Sequence, residues 1–206
     1  MKNKKNIAFL RGIFILNRII LYITFGGIHL MKNTLVVNLL GGPGVGKSTL
    51  TAAIFAKLKD LDVDCEMASE FAKELVWEQR NETFKDELYI FAKQAHRLFR
   101  LNGKVDVVIT DRPLILTCFY AQKDKALSKF CLDRFEQYNN MNYLLVREKA
   151  YNTNGRNQTE DEARSIDRET RYMLESYDIP YKELPGNMET ADIIVKEVLE
   201  MLKEIK

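Results

Sequence analysis

Nine consecutive residues carry the most readable chemistry of the chain: Gly41, Gly42, Pro43, Gly44, Val45, Gly46, Lys47, Ser48 and Thr49. Glycines at 41, 42, 44 and 46 let backbone N–H groups turn inward around an anion without Cβ clashes. Lys47 then reaches the β- and γ-phosphates of a polyphosphate, and Ser48 offers a hydroxyl to Mg²⁺. The run follows the apolar residues Leu35 to Leu40 and precedes a helical pattern, so a helix N-terminus directs its positive end at the same anion. These residues predict a nucleoside-triphosphate site that works with Mg²⁺.

Asp111 and Arg112 close a second apolar run, Val105 to Thr110. An aspartate at the carboxyl end of a strand beside such a loop holds Mg²⁺, directly or through water. The residue after it separates chemistries. A motor ATPase usually places a glutamate there, to orient a hydrolytic water. Arg112 instead suits an anionic or hydroxyl-rich second substrate and the stabilisation of transferred charge. Glu70 follows a short strand pattern and is expected across the crevice from Lys47, either accepting a substrate proton or only favouring a helix N-terminus. Ser69 is the expected N-cap of that helix.

Arg156, Arg164, Arg168 and Arg171 lie in the polar stretch from Arg147 to about Glu162 and in the helix after it. The last three fall on one helix face, with Ala163, Ile166, Thr170, Met173, Leu174 and Tyr177 opposite. An arginine row above a phosphate site would close as a lid, neutralising the transferred group and excluding water. Ordinary helix pairs, Glu160–Arg164 and Asp167–Arg171, are the competing expectation. Gln94 and Arg97, a turn apart, are a weak candidate for contact with a nucleobase or sugar. Trp77 is expected in the core or a pocket wall. His29 and His96 have no metal-ligand partners nearby in sequence.

Positioning these residues requires strands alternating with helices, the pattern of a parallel sheet with crossover helices. Strands are predicted at 35–40, 63–67, 105–110, 143–146 and 181–184. Helices are predicted from Leu50 through Leu61, over 70–80 and 85–101, and from Ala191 to Lys206. Leu50, Ile54, Leu58 and Leu61 share one face of the first, and Leu88, Phe91, Ala95, Leu98 and Phe99 one face of the third. The predicted class is an α/β P-loop NTPase: about five parallel strands, helices on both faces and an arginine-bearing lid.

A chain of 206 residues, 46% hydrophobic and 29% charged, suits one globular domain. Its net charge of +2 conceals an asymmetry. Lys2, Lys4, Lys5, Arg11 and Arg18 are unopposed by any acid in residues 1–30, so residues 31–206 carry −3. That balance argues against a nucleic-acid surface. Cys65, Cys118 and Cys131 lack metal-ligand spacing and read as reduced thiols in or near the core of a cytoplasmic protein. The apolar stretch before Met31 is interrupted by Arg11, Asn17 and Arg18, too short for a membrane span and without a secretory cleavage site. Translation is expected to start at Met31, with residues 1–30 a non-native extension; a basic membrane-surface tether is the alternative. Residues 31–206 then form the catalytic domain.

The motifs resemble those of small P-loop nucleoside and nucleotide kinases of phage and bacteria, related to the ribosylnicotinamide kinase domain of bacterial NAD regulators. The resemblance runs from Met31 to about Lys206 and rests on four segments: Gly41 to Thr49, Ser69 to Lys73, Thr110 to Leu114, and Tyr151 to Glu160. It implies ATP on Lys47 and Ser48, Mg²⁺ near Asp111, an acceptor near Glu70 and Arg112, and lid arginines after Arg147. Proline after the Asp-Arg pair departs from the pattern. The expected activity is phosphoryl transfer from ATP to a nucleoside, nucleoside monophosphate or similar small acceptor, and the reading is compatible with a homodimer. The alternative is a nucleotide-dependent regulatory ATPase without such an acceptor. A GTPase is disfavoured, because the nearest approach to a [NT]-K-x-D motif is Gly103 to Asp106. A nucleic-acid end kinase would need a basic groove.

Overall fold

The computed structural model describes residues 13–16, 19–24, 27–30, 33–121, 124–148, 151 and 159–205. Strands β1 (Ile13–Leu16), β2 (Ile19–Thr24) and β3 (Gly27–Leu30) pair antiparallel in a small sheet of their own. The main sheet is parallel and five-stranded, built from β4 (Leu35–Leu40), β5 (Cys65–Ala68), β6 (Val107–Thr110), β7 (Asn139–Val146) and β8 (Lys182–Pro185). Five parallel strands are what the sequence predicts, and their order is β5-β6-β4-β7-β8.

Strand β4 lies at the centre because every one of its residues is buried. That continuous apolar run is the signature of a strand covered on both faces. Successive side chains alternate between those faces. Leu35, Val37 and Leu39 pack with Leu50, Ile54 and Leu58 of α1 (Lys47–Asp60) and with Ile194, Val198 and Leu202 of α8 (Glu189–Ile205). Val36 and Leu40 pack on the other face with Phe91 and Leu98 of α4 (Glu87–Phe99), Cys118 of α5 (Leu116–Tyr120), Cys131 of α6 (Lys125–Phe135), and Met173 and Leu174 of α7 (Glu160–Ser176). Full burial of each leucine or isoleucine contributes about 1.5–3 kcal/mol.

Asn38 interrupts the second face. Its amide donates to Asn140 and Asn142 Oδ1, each at 2.9 Å, so a polar ladder joins β4 to β7 inside an apolar layer. Asn142 passes the ladder on to the carbonyl of Pro180, just before β8.

Several boundaries differ from the sequence expectation. The helix predicted over 70–80 splits into α2 (Phe71–Trp77) and α3 (Asn81–Phe84), separated by Gln79 at a φ of 54°. The buried face of α4 is Ile90, Phe91, Gln94 and Leu98, whereas Leu88 and Phe99 are exposed. Trp77 is exposed as well and lies outside the core, and Leu61 ends α1 in solvent. The helices α5 and α6 were not anticipated. All three cysteines are buried, as expected.

Candidate active site

The loop from β4 to α1 crosses the carboxyl edge of the sheet, the edge at which open parallel sheets bind ligands. Gly41, Gly44 and Gly46 adopt φ of 129°, 77° and 112°, a region open to glycine without a Cβ penalty. Gly46 is also the N-cap of α1 and contributes no side-chain hydrogen bond. The first-turn amides and the positive end of the helix dipole are therefore left to an anion.

Lys47 folds back over its own loop, Nζ donating to the carbonyls of Gly41 at 2.6 Å and Gly42 at 2.8 Å. Burial lowers its pKa below the usual lysine value; Glu70, Asp111 and Asp167 oppose that shift, and Arg112 adds to it. The Ser48 hydroxyl donates to Asp111 Oδ2 at 2.7 Å. Asp111 Oδ1 accepts the backbone N–H of Glu70 at 3.0 Å. One carboxylate thus ties the loop, the end of β6 and the start of α2 together.

Arg112 is buried. Its Nη1 stands 3.3 Å from Glu70 Oε1 and its Nη2 3.9 Å from Glu87 Oε2. The guanidinium lies 4.6 Å from the centre of the Tyr120 ring, within cation–π range. Glu87 Oε2 is buried without a hydrogen-bond partner. Burial raises the Glu87 pKa above the ordinary glutamate value; Arg112 opposes this and Asp86 adds to it. Sequence reading missed Glu87 and Tyr120. Glu87 opens α4 and looks like any acid at a helix start; only the fold brings it to Arg112.

The expected roles of several other residues change. Ser69 does not cap α2; Glu70 occupies that position and makes no side-chain cap. Gln94 faces inward, accepting the Phe71 N–H at 3.1 Å and donating to the Ala68 carbonyl at 3.3 Å. Arg97 binds the Ser69 carbonyl and hydroxyl and pairs with Glu74. Both are committed to holding α4 on α2, which removes them as base readers.

On α7, Ala163, Thr170, Met173 and Leu174 are buried as predicted, while Tyr177 is exposed. Arg164 pairs with Glu160 at 2.7 Å, as expected, and Arg168 is exposed. Arg171 pairs with Glu183 at 3.0 Å rather than with Asp167. Asp167 turns to the phosphate loop instead: Oδ1 accepts the Gly42 N–H at 2.6 Å, and Oδ2 accepts from Arg147 at 3.0–3.1 Å. Arg147, expected to open an exposed stretch, has a side chain only 4% accessible. Residues 152–158, Arg156 among them, lie outside the described residues.

The donor set fits Mg²⁺ and a polyphosphate. A hydroxyl and a carboxylate, already in contact, are the hard oxygen ligands that Mg²⁺ prefers. An ammonium held by loop carbonyls beside an uncapped helix start suits a phosphate chain. Among the described residues no cluster of three or more His, Cys, Asp or Glu forms a separate metal site. No described helix is long and apolar enough to cross a membrane.

Fold and loop together define a P-loop nucleotide-binding protein of kinase-like architecture. The chain belongs to the AAA domain family, whose profile matches residues 36–191. It is similar in structure to the NadR protein in complex with NR, with a TM-score of 0.55 and 14% identity over 84% of this chain and 53% of that one. The chain thus spans about half the length of that protein. It is also similar to deoxyadenosine kinase from M. mycoides with bound dATP, with a TM-score of 0.49 and 17% identity over 80% of this chain and 99% of that one. No curated protein matches it in sequence.

Proposed function

We propose that residues 31–206 form an ATP- and Mg²⁺-dependent kinase that phosphorylates a hydroxyl of a nucleoside-like small molecule. The observation that carries this reading is the pairing of buried Arg112 with the partly exposed Glu70 at 3.3 Å, held next to Asp111 and within electrostatic reach of Lys47. A motor ATPase usually aims a carboxylate at water; this site offers a carboxylate paired with an arginine, which suits an organic hydroxyl.

Lys47 and the loop amides bind the phosphate chain. Ser48 and Asp111 would hold Mg²⁺, which neutralises phosphate charge when bound. Glu70 accepts the proton of the acceptor hydroxyl at one of its carboxylate oxygens, while Arg112 fixes the orientation of that carboxylate. Arg156 would contribute from the lid. The net reaction converts ATP and the acceptor alcohol to ADP, the phosphate ester and a proton. Most of the acceleration comes from positioning and electrostatics.

Charge narrows the acceptor. Arg112 is already faced by Glu70 and Glu87, so it has little attraction left for a phosphate monoester. A neutral or cationic nucleoside fits this pair of carboxylates better than a nucleoside monophosphate does.

The test is ADP release from ATP·Mg²⁺ by the full chain, with nucleosides, nicotinamide riboside and nucleoside monophosphates as acceptors and Lys47→Ala as the blank. Strong stimulation by one nucleoside-like acceptor, absent in Lys47→Ala, is the expected result. ADP release indifferent to every acceptor would replace the kinase reading with that of a regulatory ATPase.

A further inference from the structure

The contacts between α7 and the phosphate loop are closer than the docking of a surface helix requires. A Cβ on Gly42 would sit 2.5 Å from the Ala163 carbonyl oxygen and 2.7 Å from Asp167 Oδ1. Glycine is therefore needed at 42 to admit α7, apart from any phosphate. Asp167 fills this approach with charge, accepting the Gly42 N–H through one oxygen and the Arg147 guanidinium through the other. Arg147 Nη2 also donates to the Pro43 carbonyl at 2.9 Å. Two neighbouring residues of the loop are thereby fixed from outside by one ion pair.

Arg147 has capacity to spare. Its Nη1 is buried without a hydrogen-bond partner and lies 3.3 Å from where a Gly44 Cβ would be. A buried guanidinium donor left unmade is costly, and arginine's rigid fork presents such a donor in a fixed direction. The guanidinium carbon stands 5.6 Å from the centre of the Tyr151 ring, which places an aromatic wall beside it. The oxygens of a triphosphate seated in the loop would be the acceptors within reach of that N–H.

We propose that Arg147 is a contact for the bound triphosphate through its Nη1 N–H, and that Asp167 is the positioning residue that aims it while fixing Gly42. The proposal rests on the nucleotide reading of the loop and extends it to two residues that the motif does not contain. It makes α7 part of the nucleotide site: Asp167 shapes the phosphate loop through Gly42 and orients its cation through Arg147.

The experiment is a fluorescence titration of the full chain with a mant-labelled ATP analogue and Mg²⁺, beside thermal midpoints measured without nucleotide. Asp167→Asn keeps an oxygen for the Gly42 N–H and removes the charge that holds Arg147. It is expected to bind the analogue roughly tenfold more weakly than wild type, the scale of one charge-assisted contact, and to melt at a lower midpoint while still folding, because the buried Arg147 loses its counter-charge. Arg147→Gln is expected to lose a similar factor, and the double variant to bind no more weakly than Arg147→Gln, because both act through one contact. Arg147→Lys is expected to restore only part of the loss. Affinities equal to wild type in the folded single variants, or losses that add in the double variant, would overturn the proposal. Failure of the wild-type chain to bind the analogue would overturn the nucleotide reading itself, and this inference with it.

Discussion

The hydroxyl of Ser48, second residue of α1, and the carboxylate of Asp111, one residue beyond β6, meet at 2.7 Å across 63 positions of sequence. Parallel pairing of β4 with β6 makes the contact, since it brings both strand ends to one edge in register, Asn38 opposite Thr110. The loop after one strand and the acid after its neighbour then face each other. Asp111 is nearly buried, and its second oxygen is taken by the Glu70 N–H. Its orientation is set by the fold.

Asp111→Asn keeps that second acceptor and removes the charge. It is expected to leave nucleotide binding measurable but no longer strengthened by Mg²⁺, and to lower kcat by about 10²–10³, the scale of losing one preorganised electrostatic group. Affinity titrations with and without Mg²⁺, together with acceptor-dependent ADP release, check both parts. An Asp111→Asn protein that keeps its Mg²⁺ response would remove Asp111 from the metal site.

Gly186, which follows β8, approaches Val45 so closely that an added Cβ would collide with the Val45 carbonyl oxygen. The phosphate loop is gripped there at Val45 and Gly46. Gly186→Ala is expected to destabilise the protein by about 1–3 kcal/mol through overpacking. Urea unfolding should show a lowered midpoint at an unchanged slope. A neutral substitution would mean that the turn after β8 can move away from the loop.

The three thiols are shielded by their surroundings. Burial pushes Cys118 up to about 11 and Cys131 up to about 12, and raises Cys65 as well. The reactive species is the thiolate, so at pH 8 none of the three is expected to react with an aromatic disulfide reagent while the protein is folded. All three should titrate once it is unfolded in guanidinium. Rapid labelling of a native thiol would place that cysteine nearer the surface than the packing around it allows.

The sequence carried the phosphate loop complete, because the motif is local: nine adjacent residues fix glycine conformation, cation, hydroxyl and helix start together. Asp111, Arg112 and Glu70 were readable for a related reason, since each closes or follows a strand whose apolar run marks the sheet edge. Gln94 misled because a polar residue inside a helical pattern looks available, whereas here it joins the start of α2 to the end of β5. Asp167 misled because helix spacing offers Arg171 as its partner, and only the docking of α7 shows that Gly42 and Arg147 claim it. The helices α5 and α6 went unread because periodicity cannot separate a five-residue helix from a loop, and α6 buries only Ser128, Cys131 and Phe135. Long-range pairing decides such residues, and local pattern does not report it.

Glu87 gives a pH test of the acceptor pocket. Its folded-state pKa is raised above the ordinary value of 4.5, burial outweighing the attraction of Arg112. Between 4.5 and the raised value, the folded chain holds a proton that the unfolded chain has released. Folding therefore takes up a proton in that window, and the contribution of Glu87 to stability falls as pH rises through it. Glu87→Gln cannot titrate. Its thermal midpoint should stay close to wild type at pH 4 and gain on it towards pH 7. The same substitution leaves Arg112 facing Glu70 alone, so the variant is expected to accept nucleoside monophosphates better, relative to nucleosides, than wild type does. Midpoints at pH 4, 5, 6 and 7 and paired kcat/KM values check the two parts separately. A midpoint difference that stays flat with pH would show that the attraction of Arg112 offsets burial and leaves Glu87 the same pKa in the folded and unfolded chain. Unaltered acceptor preference would mean that Glu87 takes no part in selecting the acceptor.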